Sequence, residues 1–253
     1  MWPLALPAPA LYLLPAKGRT ALSTIQISAA DGSGSFDAFV AEPAGTPAGA
    51  VVLIQEIFGV NQSMRETAAQ VAELGFIVVV PDLFWRIERN VDLTDKSQGE
   101  WDRAFALMKA FDQMRGVDDL KATLATARKL PGCNGRVGTM GYCLGGRLAF
   151  LMAEHSDADV NISYYGVGLD GLLPDLAKVT KPLVVHIADN DAFFPAEGRR
   201  QVAQAAAGHP AVKAYTYPGA DHAFARVGGT HWHARSAWIA NGRSAEALVA
   251  ALG

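Results

Sequence analysis

Short, unbroken apolar runs alternate along this chain with longer stretches of helical spacing. Residues 50 to 54 (AVVLI) and 76 to 80 (FIVVV) are continuously apolar, as strands buried on both faces are. Residues 161 to 165 (NISYY), 182 to 187 (PLVVHI) and 212 to 217 (VKAYTY) predict further strands. Residues 24 to 29 (TIQISA) and 36 to 41 (FDAFVA) alternate instead, around an Asp31-Gly32 turn, and predict an antiparallel hairpin at one sheet edge. Helices are expected from Asn61 to Leu74, where Gly75 ends the pattern, and over 101 to 114 and 117 to 130, with Gly116 between that pair. Two more are expected, from Pro195 to Ala207 and from near His233 to Leu252. Residues 82 to 100 are polar and irregular and predict a surface loop.

Strands alternating with helices predict an α/β fold, a mostly parallel sheet with an antiparallel N-terminal edge and helices on both faces. No repeat or linker divides residues 21–253, so one domain is expected. Residues 1–20 have an apolar middle, but no Lys or Arg precedes it, and Pro3, Pro7, Pro9 and Pro15 break any helix. They predict a loosely ordered extension, with a secretory signal and a start-site artefact as alternatives.

Charge narrows the function. The 22 Lys+Arg against 25 Asp+Glu give a net charge of −3 without long runs of either sign, which does not suggest nucleic acid. No apolar run reaches the ~18 residues of a membrane span. A cytoplasmic monomer is expected. If residues 135 to 140 form a strand, its rise sets Cys133 and Cys143 on the order of 20 Å apart, beyond disulfide reach.

The chemistry centres on residues 138 to 150, GTMGYCLGGRLAF. A short strand-like run reaches Gly141, and a helical pattern starts directly after Cys143. This is a G-x-C-x-G form of the strand-turn-helix elbow that lifts a nucleophile clear of a sheet. A thiol at a helix N-terminus and beside an imidazole becomes acidic enough to attack, so Cys143 is the candidate nucleophile. Downstream, Asp191 follows PLVVHI in ADNDAFFP, and His222 follows VKAYTY in GADHAFAR. Nucleophile, acid and histidine in that order, each after a strand, is the α/β-hydrolase arrangement. His222 would move the proton and Asp191 would hold its tautomer. The backbone N–H groups of Leu144 and Ile57 are the expected oxyanion donors. Glu56, Arg86 and Arg226 remain as charged residues outside the triad, and an arginine pair at a pocket mouth suits capture of a carboxylate.

The segments QEIFGVNQSMRETA, VPDLFWR, GYCLGGRLAF, YYGVGL, DNDAFFP and DHAFAR closely resemble the dienelactone hydrolase (carboxymethylenebutenolidase) family, from about residue 24 to near the C-terminus. The resemblance implies an α/β-hydrolase that opens a small anionic lactone to maleylacetate, without cofactor or metal, in bacterial breakdown of aromatic compounds. It implies a triad of Cys143, Asp191 and His222. It also implies a part for Glu56 in activating the thiol beside its arginine partner, and Arg86 and Arg226 as ligands of the substrate carboxylate. The chain departs from the family pattern before residue 20 and in FWRIERN after the PDL motif.

Blander readings stand beside these. Cys133 lacks the elbow context and reads as an inert thiol. Asp189 rivals Asp191 for the acid role. His231 and His233 lack a third zinc ligand at suitable spacing and read as the entrance to the last helix. GVGLDG at 166 to 171 matches a nucleotide-binding turn only in spacing, and Pro174 argues against it. Two other functions fit the same residues: a general ester, thioester or lactone hydrolase, and a hydrolase-fold protein that binds a small anion without catalysis.

Overall fold

The computed structural model describes residues 20–253. Its single sheet contains strands β1 (Ala21–Ser28), β2 (Ser35–Glu42), β3 (Ala50–Ile54), β4 (Ile77–Pro81), β5 (Val137–Tyr142), β6 (Asn161–Tyr164), β7 (Leu183–Ala188) and β8 (Val212–Tyr217). Helices α1 (Gln62–Ala72), α2 (Gln98–Ala110), α3 (Gln113–Ala127), α4 (Leu144–His155), α5 (Ala196–Ala207) and α6 (Ala234–Leu252) connect and cover them. The strand order is β1-β2-β4-β3-β5-β6-β7-β8. The β1–β2 hairpin and the β2–β4 pair are antiparallel, and every pairing from β4 to β8 is parallel. This is the α/β-hydrolase fold that the sequence predicts.

Burial follows position in the sheet. Every residue of β3 through β7 is buried, because helices lie on both faces, whereas the edge strand β1 is mostly exposed. Strand β5 shows the period of two that carries the site. Met140 and Tyr142 face a groove between α1 and α6, and Gly141 faces the start of α4 on the opposite side.

Two expectations are corrected. Residues 82 to 100 do not form a surface loop, since Leu83, Phe84, Trp85, Val91 and Leu93 are buried and α2 starts at Gln98. The segment folds inward because its polar groups are satisfied there. The Asp82 carboxylate accepts the N–H groups of Phe84 (3.1 Å) and Asn90 (2.8 Å), and Gln55 accepts that of Leu83 (3.1 Å). Gly116 does not separate two helices either. The break lies at Phe111-Asp112, where Asp112 caps α3 by accepting from Met114 and Arg115. Gly116 sits inside α3 because a Cβ there would lie 2.3 Å from the Phe111 ring. The extension expected over residues 1–20 lies outside the described residues except for Thr20.

Candidate active site

Strand β5 ends at Tyr142 and α4 begins at Leu144, so Cys143 alone makes the turn, with φ 55° and ψ −113°. Side chains rarely adopt that φ, and such strain persists only where the surroundings enforce it. Here close backbone packing does so. A Cβ on Gly141 would lie 2.1 Å from the Gly145 carbonyl oxygen, and one on Gly145 would lie 2.3 Å from that of Ile54. The Cys143 N–H donates to Tyr164 O (3.0 Å), and its side chain makes no cap bond to α4. The thiol is left to line a cavity of about 520 Å³. Leu144 and Ile57 line the same cavity, and their N–H groups donate to no other group among the described residues.

The histidine and its acid meet at this wall. Asp191 Oδ2 lies 2.7 Å from His222 Nδ1, and Asp191 Oδ1 accepts the Phe193 N–H (2.8 Å). Both side chains are buried, at 1% and 8% exposure, whereas the rival Asp189 is exposed. Arg199, from α5, donates to the carbonyl oxygens of Asp189 (2.6 Å), Asp191 (2.8 Å) and Phe194, clamping the loop that carries the acid. Sequence reasoning missed Arg199, because a side chain that serves only backbone carbonyls leaves no motif.

Burial opposes a charge on His222, but the Cys143 and Asp191 charges on either side outweigh it and push its pKa up to about 10. Its ordinary value is 6.5. A histidine with a raised folded pKa contributes stability that is complete below the unfolded value and is lost as pH rises through the folded one. The unfolding free energy of the wild type is therefore expected to fall as pH rises toward 10. In Cys143→Ala, which removes the sulfur partner of His222, that fall should begin at lower pH. Urea titrations across this range check it, and the same profile in both proteins would refute the coupling.

Glu56 follows shortly after the end of β3 and is 2% exposed. Arg226 holds it bidentately, Nε to Oε2 at 2.6 Å and Nη2 to Oε1 at 3.2 Å. The third nitrogen, Nη1, donates to Asp95 Oδ2 at 2.7 Å, and the cation lies 4.9 Å from the centre of the Phe58 ring. Burial opposes the Arg226 charge, and the Glu56 carboxylate more than compensates. Asp95 is a site residue the sequence reading missed, since it lies in the segment read as surface loop. Tyr165 sits near this group with φ 37° and a buried hydroxyl that has no partner among the described residues.

The arginine pair expected at the pocket mouth does not form. Arg86 grips both oxygens of buried Asp119 (3.0 and 2.8 Å) and reaches Asp31 (2.9 Å) and Ser33 (2.6 Å), with its cation 4.3 Å from the centre of the Trp85 ring. A buried carboxylate on α3 needs a cation, and Arg86 supplies it away from the cavity. Arg226 does line the cavity, but with two carboxylates already on it. A different arginine, Arg147, lines the same cavity. Gln113, Phe193 and the aromatic wall of Trp101 and Phe105 complete much of the rest.

Comparison with known proteins identifies the family. The sequence profile of the dienelactone hydrolase family matches residues 36–251. A provisionally named carboxymethylenebutenolidase of Azospirillum brasilense is 52% identical over 235 residues, covering 88% of this chain and 96% of that protein. The carboxymethylenebutenolidase of Pseudomonas putida is 39% identical over 225 residues, covering 89% and 95%. Among solved structures, a provisionally named dienelactone hydrolase from Klebsiella pneumoniae superposes with a TM-score of 0.77 at 23% identity, covering 90% of this chain and 99% of that one, a likeness of fold. With the profile spanning most of the chain and these relatives matching almost end to end, this chain belongs to the dienelactone hydrolase family.

Proposed function

We propose that this chain, a hydrolase of the lactone and ester class, opens a small carboxylate-bearing lactone, dienelactone, to maleylacetate through an acyl-thioester on Cys143. The observation that carries this is the strained Cys143 turn on the cavity wall, beside a histidine whose other nitrogen is held 2.7 Å from a buried carboxylate.

In this reading the Cys143 thiolate attacks the lactone carbonyl. The oxyanion takes the N–H groups of Leu144 and Ile57, which are fixed by the fold and need no reorganisation. Collapse of the adduct breaks the ring C–O bond, and the departing enolate oxygen is protonated from the His222 imidazolium. His222, now neutral, takes a proton from water, which attacks the thioester and returns Cys143 as the thiolate. Asp191 keeps Nδ1 protonated and favours the imidazolium in both steps. A thiol suits this leaving group, because a stabilised enolate departs easily and the thioester then hydrolyses readily. Glu56 would oppose a thiolate if left alone. Its bidentate pairing with Arg226 removes that opposition, which is consistent with the part in thiol activation that the family resemblance implies.

Turnover of cis- and trans-dienelactone against p-nitrophenyl acetate tests the substrate. At least one lactone isomer is expected to exceed the neutral ester in kcat/KM by about 100-fold or more, the scale of ~3 kcal/mol of additional transition-state binding. Turnover of the ester alone would favour a second reading, hydrolysis of a bulkier apolar ester. That reading has its own support: a cavity of about 520 Å³ is of a size that takes drug-sized ligands, and Phe105, Met108 and Phe193 stand partly exposed along it.

A further inference from the structure

The strand that carries the nucleophile has a second side. Met140 and Tyr142 of β5 point away from the catalytic cavity into the groove between α1 and α6, which encloses about 350 Å³, at the small end of the ~300–1,000 Å³ typical of ligand pockets. The groove and the catalytic cavity share no lining residue. Its walls are apolar, and Leu74 and Trp238 present large surfaces there at 43% and 73% exposure. Gly242 keeps it open from inside α6, where a Cβ would meet nothing within 4 Å. Glycine weakens a helix interior, so the open space comes at the expense of α6.

The polar groups behind the groove form one directed chain. Arg243 Nη1 can only donate, and it donates to Tyr217 Oη at 3.1 Å, so the Tyr217 hydroxyl donates in turn to His186 Nδ1 at 2.7 Å. That leaves a proton on His186 Nε2, which donates to Ser244 Oγ at 2.9 Å. Burial, helped by the Arg243 charge, pushes the His186 pKa down to about 3, so the ring is neutral as this direction requires. Ser244 donates to Tyr164 Oη at 2.7 Å, and Tyr164 donates to Asn241 Oδ1 at 3.0 Å. Tyr142 stands outside the chain. It is only 4% exposed and lines the groove, yet its hydroxyl makes no hydrogen bond among the described residues. Buried polar groups are normally paired. Burial also raises the Tyr142 pKa, so the hydroxyl keeps its proton and can donate as well as accept.

Charge narrows the occupant. No Lys, Arg or His lines the groove among the described residues, and Glu73 is its one charged lining residue, which disfavours an anion. Apolar walls, an exposed indole and an unpaired hydroxyl suit an aromatic ring with a polar handle of its own. We propose that this groove is a second ligand site, separate from the catalytic cavity, for a small uncharged aromatic molecule that carries a hydroxyl. Tyr142 is the residue that meets the hydroxyl.

2-Naphthol is the probe, and 2-naphthoate is its anionic counterpart. Calorimetric titration of the wild type at neutral pH should give one 2-naphthol per chain with a Kd of about 1 mM or tighter, and 2-naphthoate should bind at least about tenfold more weakly. Tyr142→Phe should weaken 2-naphthol by about fivefold, the scale of one lost hydrogen bond. Gly242→Leu, which extends a side chain into the open space, should abolish binding and leave p-nitrophenyl acetate turnover unchanged. No wild-type binding up to about 1 mM, equal affinity for 2-naphthoate, or full affinity in a folded Gly242→Leu would overturn the proposal. Unchanged affinity in Tyr142→Phe would overturn it even if Gly242→Leu failed to fold. Competitive inhibition of p-nitrophenyl acetate turnover by 2-naphthol, with a Ki equal to its Kd, would place the ligand in the catalytic cavity and overturn it as well.

Discussion

Cys143→Ala is expected to lower kcat on lactone and ester substrates by about 10⁴-fold or more, the scale seen when a nucleophile is removed from a triad that acts as a unit. No second nucleophile can take over, since no serine, threonine or lysine side chain lines the cavity among the described residues. The oxyanion donors would survive, because the turn is enforced by glycine packing between β3, β5 and α4 and not by the thiol. Residual activity should therefore reflect binding and the oxyanion site alone. Cys143→Ser should also lose most activity, because a hydroxyl at the same turn does not form the anion that pairs with His222. Steady-state kinetics on the folded variants, with circular dichroism as the control, checks both. Turnover of Cys143→Ala within tenfold of wild type would mean that another group attacks the substrate.

Arg226→Ala should produce the largest loss of stability. The substitution leaves Glu56, only 2% exposed, as a buried carboxylate without its cation, and it also strips Asp95 of its partner. Breaking one side of a buried pair costs about 3–5 kcal/mol, because the remaining charge stays desolvated. At ~2–4 °C per kcal/mol for a chain approaching this size, Tm should drop on the order of 6–20 °C. The double variant Glu56→Gln/Arg226→Met should recover much of that, since it removes the stranded Glu56 charge together with the cation. Thermal denaturation of the three proteins decides it. An unchanged Tm in Arg226→Ala would show that Glu56 reaches water in solution.

Local patterns reveal much of this molecule, and long-range pairings account for what they hide. Strand β8 falls at 212–217 and β3 at 50–54, as their patterns predict, because a buried or edge strand writes its environment directly into its own residues. The elbow is legible for a related reason: Gly141 and Gly145 are needed by contacts between elements close in the fold, and both stand within the motif itself. Asp191 and His222 could be picked out because each follows a strand, and strand ends converge at one edge of a parallel sheet. The segment 82 to 97 could not be read this way. Its apolar residues have no period, and its burial depends on Gln55, which lies 28 positions before Leu83. Arg86 looked available because nothing near it in sequence announces Asp119, and Asp95 looked like loop because Arg226 is 131 positions away.

The acyl-thioester itself is open to direct observation. Wild-type protein mixed with a slowly hydrolysed anionic ester, quenched in acid within the first turnover and weighed intact, should gain the mass of one acyl group. Peptide mapping should locate it on Cys143. The adduct should decay at the rate of turnover in wild type and persist in a variant with His222 replaced by alanine, should that variant still acylate. Full turnover with no acyl mass on Cys143 at any time, or an adduct mapped to another residue, would overturn the mechanism.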